Sequence, residues 1–173
     1  MTAYPNDPEL LARVLDCYKP HCRYLTSMTV STADNTDGAV LGTAELAIGE
    51  SCYIDDTGHL NAVEVNIAYN QMLYYVLAKS VQERLVPAFA QWSMTDYWRR
   101  RLPDTLITKL LSRFRRPIDP RRFSGEFTLT RAAQRRLREH NPPLIVLDTA
   151  FRFWDDHGRA DGEVTVAITG HVA

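Results

Sequence analysis

The side chains best suited to chemistry lie in residues 48–71, which read IGESCYIDDTGHLNAVEVNIAYNQ. A strand pattern ends in this stretch, the polar turn DDTG follows, and a long apolar segment begins at Leu60. A strand-to-helix junction suits binding, because the first helical N–H groups have no partner in the helix and point out of its start. Groups able to donate, accept or exchange protons stand at Glu50, Tyr53, His59, Asn61, Glu64, Asn66 and Asn70.

A capped helix entry is the structural alternative, in which these polar residues only satisfy the backbone. Glu64 helps to separate the two interpretations, because a carboxylate one turn inside a buried helix is either paired or takes part in catalysis. For His59 the alternative is a contact that caps the helix. For Asn70 it is a buried hydrogen bond that fixes the helix against a sheet.

Periodicity along the rest of the chain predicts three helices and six strands. The helices are predicted at residues 8–16, 60–83 and 95–101, the last packed over the ligand mouth or against another subunit. Strands at residues 24–34 and 39–49 form a hairpin about a turn at residues 35–38. Four more strands are expected at residues 106–116, 123–136, 143–154 and 162–170.

The helix at residues 60–83 contains no Gly or Pro and is apolar on almost every side, so we expect other elements to enclose it. A helix, two strands, a long buried helix and then further strands are typical of an α+β hotdog fold, an antiparallel sheet wrapped around one central helix. We expect residues 1–173 to form one such domain. The sheet would leave edges that a second copy of the chain could cover.

Composition excludes several classes of protein. Apolar residues make up 45% of the 173 residues and charged residues 24%, which is typical of an ordinary globular chain rather than a disordered or membrane protein. No basic, apolar leader is visible at the N-terminus, and three cysteines give no disulfide framework, so we expect a cytoplasmic protein. Cys17, His21 and Cys22 lack the fourth ligand that a zinc site needs.

Charge is unevenly distributed along the chain. Residues 99–138 contain thirteen Lys and Arg residues against three acidic ones, a net charge of +10, although the whole chain has a formal net charge of −1. Such a segment suggests an anionic partner, which could be a phosphorylated carrier, an acidic carrier protein or a nucleic acid. A solvated surface is the alternative. The chain has no GxSxG motif and no glycine-rich phosphate loop, which gives no support to a serine acyl-enzyme or a nucleotide loop.

Several motifs carry a resemblance to a known family. The segments IGESCYI, TGHLNAVE, YNQ, SRFRRP and FWDDHG resemble the FcoT-like family of actinobacterial acyl thioesterases, and the likeness extends from about Leu10 to the C-terminus. The resemblance implies a hotdog fold and action on fatty acyl thioesters of coenzyme A or an acyl carrier protein. It implies no bound cofactor, because phosphopantetheine arrives as part of the substrate.

Members of isonitrile lipopeptide pathways are credited with a further reaction. They add glycine by Michael addition to the β-carbon of an α,β-unsaturated acyl-carrier thioester, and hydrolysis then releases a (3R)-3-[(carboxymethyl)amino] fatty acid. The resemblance places active-site residues at Tyr53, Asn61 and Asn70, with Tyr18 as a substrate-binding residue. A simple long-chain fatty acyl-CoA thioesterase is the alternative activity.

Both reactions place negative charge on the thioester oxygen, as an enolate or as a tetrahedral oxyanion. We expect Asn61 and the N–H groups of residues 61–63 to stabilise that charge, with Tyr53 as a second donor or as the acid that protonates the α-carbon. The base that activates glycine or water is His59 or Glu64. Arg113 could bind the carboxylate of glycine through a bidentate pair.

Two further classes stay open at this point. One is a nucleic-acid-binding protein that uses residues 99–138, although this segment has no known RNA or DNA motif and we expect it to lie on core strands. The other is an acyl-binding protein of the same fold without turnover. An enzyme is preferred, with an acyl thioester and glycine as substrates, no nucleic acid, no membrane span, and a homo-oligomer as the assembly. The aromatic residues Tyr69, Tyr74, Tyr75, Trp92 and Trp98 could line an acyl tunnel, but core packing explains most of them.

Overall fold

The fold is taken from a computed structural model that describes residues 1–32, 39–136 and 143–170. Its helices are α1 (Pro8–Leu15), α2 (Ala62–Gln82) and α3 (Met94–Arg100), with short 3₁₀ turns at Pro20–Cys22 and Pro87–Phe89. Its strands are β1 (Thr2–Tyr4), β2 (Leu25–Thr32), β3 (Val40–Leu46), β4 (Thr105–Arg116), β5 (Phe123–Arg135), β6 (Leu144–Trp154) and β7 (Arg159–Ile168). The strands form one sheet in the order β1-β2-β3-β5-β6-β7-β4, and every neighbouring pair is antiparallel.

Helix α2 is the centre of the packing. Fourteen of its 21 residues are buried, and they cover most of its circumference rather than a single stripe. Gly125 on β5 lets the sheet approach this helix, because a Cβ there would lie 3.0 Å from the Met72 sulfur and 2.9 Å from Leu46 Cδ1. A long buried helix enclosed by an antiparallel sheet is the hotdog arrangement, so the predicted fold is confirmed.

Element boundaries agree with the sequence pattern to within two residues, with three exceptions. Strand β3 ends at Leu46, three residues before the predicted end. Strand β1 was not predicted, because its three residues are too short for an alternating pattern; it pairs with the end of β2. Strand β7 begins at Arg159, three residues before the predicted start. The turn predicted at residues 35–38 lies outside the described residues.

Strand β4 corrects an expectation. The sequence suggested that its basic residues sit on core strands, but β4 is the last strand of the sheet and most of its side chains are exposed. The apolar side chains Leu106, Leu110, Leu111 and Phe114 are exposed along it. Alternation of residue types does not distinguish an edge strand from a central one, which is why periodicity missed this.

Helix α3 packs against the second half of α2, and its predicted contact with another subunit stays a prediction. A capping box between Ser93 and Asp96 starts it, as the sequence SMTD indicates. It does not cover the start of α2: the Tyr97 hydroxyl donates to the Tyr74 carbonyl at 2.7 Å, well along that helix. The Arg101 side chain then ties α3 to α1 by donating to the Val14 carbonyl at 2.9 Å.

The arginines of residues 99–136, the described part of the basic segment, do not form one basic surface. Arg100 pairs with Asp104 at 3.1 Å on the α3 side of the molecule, whereas Arg113 pairs with Asp161 at 3.5 Å on the β4 edge. The positive charge is therefore divided between separate regions and partly balanced by carboxylates. Among the described residues, no helix is both long and apolar enough to cross a membrane.

Candidate active site at the start of the central helix

Asn61 is the N-cap of α2. Its side-chain oxygen accepts hydrogen bonds from the N–H groups of Val63 and Glu64, both at 3.1 Å. Its amide nitrogen donates to a Glu64 carboxylate oxygen at 2.8 Å. The capped helix entry considered as an alternative is therefore present, and it engages the Val63 N–H that was expected to serve as a donor.

Two donors remain at this helix start. The amide nitrogen of Asn61 has two hydrogens, and only one is needed for the bond to Glu64. The N–H of Ala62, the first helical residue, takes part in no hydrogen bond among the described residues. Both groups lie beside the positive end of the helix dipole, so an oxygen that gains negative charge there is stabilised.

His59 presents a free nitrogen to the same region. Its Nδ1 lies 2.9 Å from the Thr57 carbonyl, which can only accept, so Nδ1 carries the hydrogen. In the neutral ring Nε2 is then an acceptor. The Thr57 hydroxyl donates to the His59 carbonyl at 2.8 Å and holds this turn closed.

A mainly apolar cavity of about 370 Å³ connects these groups. Its lining includes His59, Asn61 and Ala62 on one side and residues 114–118 of the β4 end on the other. It is large enough for the reacting end of an acyl chain, and its polar side chains come from the helix start and, at Arg115 and Arg116, from β4.

Glu64 lies on the other side of the cap. Its side chain is buried and lines a second cavity, of about 250 Å³, with the loop at residues 48–57. The Ser51 hydroxyl in this cavity is buried and has no hydrogen-bond partner among the described residues. Because Glu64 holds the Asn61 amide, one of its functions is to orient that amide.

Tyr24 is a polar residue of this region that sequence reasoning missed. Its hydroxyl is buried, close to Cys52 and Glu64, and has no oxygen or nitrogen partner among the described residues. Burial first, and then the neighbouring Cys52 and Glu64, raise the pKa of Tyr24, so the phenol keeps its proton. Its position at the start of a strand pattern gave no functional signal, because contact with Glu64 depends on tertiary packing.

Asn70 and Tyr18 lie away from the start of α2. Asn70 follows Asn61 by nine residues, which puts it about 13.5 Å farther along the helix and on the opposite side. Its amide donates to the carbonyl and side-chain oxygen of Asn66, at 3.0 and 3.2 Å. With Tyr74 these two residues form a half-buried stripe on α2.

Tyr18 lies near the far end of that stripe. Burial, followed by the neighbouring Tyr74 hydroxyl, raises the pKa of Tyr18 well above its ordinary value. The structure therefore brings His59, Asn61 and Glu64 together, and it groups Asn70 and Tyr18 separately.

The two remaining predicted residues lie outside both cavities. Tyr53 is 52% exposed on the loop before α2. Arg113 is partly exposed on β4, where carboxylates of Asp161 and Glu163 lie 3.5 and 4.0 Å from its guanidinium. Its charge is already balanced, which disfavours the predicted contact with a glycine carboxylate.

Most aromatic side chains belong to the core, as the sequence favoured. The Tyr69 hydroxyl lies 2.7 Å from the Thr149 hydroxyl, and the Tyr75 hydroxyl accepts from the Asp7 N–H at 2.9 Å. Trp92 and Trp98 stack against arginines 4.4 and 4.2 Å from their rings. Among the described residues, no group of three or more His, Cys, Asp or Glu side chains could hold a metal ion.

Solved structures support the fold. A protein assigned as a thioesterase from Shewanella oneidensis superposes with a TM-score of 0.51 at 12% identity and covers 95% of this chain and 100% of its own. Another from Lactococcus lactis gives a TM-score of 0.52 at 9% identity, over 86% of this chain and 94% of its own. At these identities the likeness concerns the fold alone, which is that of hotdog-type thioesterase structures.

Sequence comparison then defines the family. Residues 13–168 match the model of the FcoT-like thioesterase domain, and the chain belongs to that family. A Streptomyces coeruleorubidus protein named (2E)-enoyl-[ACP] glycyltransferase is 53% identical over 94% of this chain and 97% of its own length. A Mycobacterium tuberculosis protein of the same name is 37% identical over 94% of this chain and 87% of its own.

Proposed function

We propose that this protein adds glycine to a (2E)-enoyl group held as a thioester on an acyl carrier protein, and then hydrolyses the thioester. The observation that carries the proposal is that Ala62, whose N–H has no partner among the described residues, Asn61 and His59 all line one apolar cavity. The names of relatives at 53% and 37% identity support the addition step. The thioesterase family supports the release step.

The addition needs a base and an oxyanion site. His59 Nε2 takes a proton from the glycine ammonium, and the freed amine attacks the β-carbon to form the C–N bond. The electrons of the C=C bond move to the α-carbon and the thioester oxygen, which gives an enolate. The Asn61 amide and the Ala62 N–H stabilise that oxygen; one such donor contributes about 3–4 kcal/mol to a barrier of this kind. Protonation of the α-carbon by the His59 imidazolium completes the step.

Release uses the same oxygen site. Water, activated by His59 or Glu64, attacks the thioester carbon; the oxygen becomes an oxyanion at the same two donors, and collapse expels the carrier thiol. Glu64 faces the second cavity, so it is the alternative base for water rather than for glycine. Tyr53 is the alternative acid for the α-carbon.

A second copy of the chain fits this proposal. Exposed Leu106, Leu110 and Phe114 lie on the edge strand β4, and Phe114 also lines the apolar cavity. A homo-oligomer formed through this edge would bury these side chains and close that cavity.

Intact-mass analysis of an enoyl-carrier thioester, with and without glycine, tests the proposal. A mass gain of one glycine on the carrier, followed by return of the free carrier, supports both steps. Release of the unmodified acid at the same rate in both samples identifies a simple thioesterase instead. An unchanged enoyl-carrier in both samples contradicts the proposal and leaves an acyl-binding protein.

A further inference from the structure

A third cavity, of about 460 Å³, lies beside the apolar one. Four arginines line it, Arg115 and Arg116 from β4, Arg152 from β6 and Arg159 from β7, together with His157 and Trp154. Arg115 and Arg116 line both cavities, so the two adjoin at the end of β4. Nothing in the proposed reaction uses this concentration of positive charge.

The four arginines differ in their partners. Arg152 is paired with the Glu126 carboxylate through two hydrogen bonds of 3.0 and 2.7 Å, and Arg115 donates to Asp161 at 3.2 Å. Arg116 and Arg159 have no acidic partner within the described parts of the chain. Their two charges are therefore available to a ligand.

Strand pairing places these two arginines together. Arg116 and Arg159 are direct partners in the β4–β7 register, so their side chains leave the same face. Like charges directly opposite on neighbouring strands are destabilising, and an anion between them removes that cost. An irregularity between Phe114 and Arg116 interrupts the alternation of β4, which explains how successive arginines line one cavity.

Backbone hydrogen bonds engage Asp155, one of the two carboxylates that line the cavity. Asp155 accepts from the N–H groups of Asp119 at 2.7 Å, of His157 at 2.8 Å and of Gly158. Although burial alone would raise the pKa of Asp155, these hydrogen bonds lower it below the ordinary value. Its carboxylate therefore holds the turn that forms the cavity wall. Asp156 is the other carboxylate that lines the cavity, and no ion pair joins it to Arg116 or Arg159 among the described residues.

We propose that Arg116 and Arg159 bind the phosphate of the substrate's pantetheine arm, an inference that rests on the proposed function. Arginine recognises phosphate through paired N–H donors, and two guanidinium groups on one face suit its tetrahedral oxygens. The cavity lined by the four arginines, called the phosphate cavity from here on, adjoins the cavity at the start of α2. The pantetheine arm can therefore run from one to the other past Arg115 and Arg116. The phosphate belongs to a carrier protein or to coenzyme A, which share this chemistry.

Ligand binding by calorimetry tests the inference without turnover. The probes are pantetheine and 4′-phosphopantetheine, which differ only in the phosphate. The wild-type protein is expected to bind the phosphorylated probe at least about tenfold more tightly. The double variant Arg116→Gln/Arg159→Gln is expected to bind both probes equally, and Arg99→Gln, an exposed arginine of α3, serves as the matched control. A wild type without this preference, or a double variant that keeps it, overturns the inference.

Further probes separate the sources of the phosphate. Coenzyme A and the holo-carrier should each lose affinity in the double variant by the factor seen with phosphopantetheine, and the tighter of the two names the source. An equal loss with the apo-carrier, which lacks the arm, would show a protein-docking surface and overturn the inference. So would a loss confined to coenzyme A, because its other phosphates would then be the ligand.

The unfolding midpoint of the double variant provides a check on folding, and relief of the like-charge pair should leave it unchanged or higher. Failure of the proposed function would appear separately, as the absence of a glycine adduct in the mass assay. The preference for the phosphorylated probe would be unaffected by that result.

Discussion

The polar groups in the middle and last turns of helix α2 have different surroundings from those at its start. Near the middle of the helix, Gln71 accepts from the N–H groups of Tyr24 and Leu25, both at 2.9 Å, and donates to the Cys22 carbonyl at 2.6 Å. Buried Lys79 pairs with Glu83 at 3.2 Å. These groups have structural partners and hold the strands and loops around the helix.

At the start of the helix the hydrogen-bonding capacity is incompletely used. Three groups have no partner among the described residues: the Ala62 N–H, one hydrogen of the Asn61 amide, and His59 Nε2. The three residues that carry these groups line one cavity. Unsatisfied groups are costly when buried, so they persist where solvent or a ligand reaches them. Gln71 and Lys79 therefore support the fold, whereas the exposed or half-buried residues His59, Asn61 and Ala62 are open to solvent or a ligand. A missing partner alone does not mark a binding residue, because the buried Ser80 hydroxyl also has none among the described residues.

The largest expected effect concerns His59, beside the start of α2. His59→Gln keeps a polar side chain but removes the base, so glycine addition should slow about 10²–10⁴-fold. The residual rate should rise with pH, because more glycine is then already deprotonated in solution. Single-turnover mass analysis over a pH series measures both effects. A variant that retains the wild-type rate at neutral pH would remove His59 from the mechanism.

The next largest effect concerns Gln71, whose side-chain hydrogen bonds are made within the protein. Gln71→Leu leaves two N–H groups and a carbonyl buried without partners, which should lower the free energy of unfolding by about 3 kcal/mol. The unfolding midpoint should fall by roughly 6–12 °C. Thermal denaturation measures this, with the exposed Gln91→Leu as the control. Equal stability of the two variants would show that Gln71 is not a structural tie.

A smaller effect separates the two functions of Asn61. Asn61→Ala removes the cap and should cost about 1 kcal/mol of stability, whereas Asn61→Ser keeps a capping oxygen and should cost a few tenths. Urea denaturation of both variants measures the difference. If the two were equally destabilised, the cap would have no measurable effect on stability.

The smallest effect concerns the wall of the phosphate cavity. The pKa of Asp155 lies below its ordinary value in the folded protein. Its contribution to stability is therefore present above the unfolded pKa, near 4, and is lost as pH falls through the lower folded value. Asp155→Asn should be less stable at neutral pH, and the difference should shrink below about pH 4. A difference that is constant from pH 7 to pH 3 would contradict this assignment.

Local patterns in the sequence were sufficient to predict most of the fold. The absence of Gly and Pro from residues 60–83 defined the central helix, and Asp155–Gly158 was recognised as a turn from its residue types. Strand β1 and the exposed edge position of β4 were missed, because pairing partners and burial depend on the whole sheet. A period of two residues is the same for edge and central strands.

The site was predicted only in part, for a related reason. His59, Asn61 and Glu64 lie within six residues, so local spacing brought them together. Tyr24 and the pair Arg116 and Arg159 come from residues distant in sequence, and only packing and strand register make them neighbours. Arg113 was singled out by its motif, but the carboxylates that balance it lie on another strand.

The most direct test of the central claim is the single-turnover rate of glycine addition by Asn61→Ser. This variant retains the helix cap but lacks the amide that faces the cavity. The account predicts a rate about 10²–10³-fold below that of the wild type, with little change in unfolding midpoint. A folded Asn61→Ser protein that forms the glycine adduct at the wild-type rate would show that the reaction occurs elsewhere in the molecule.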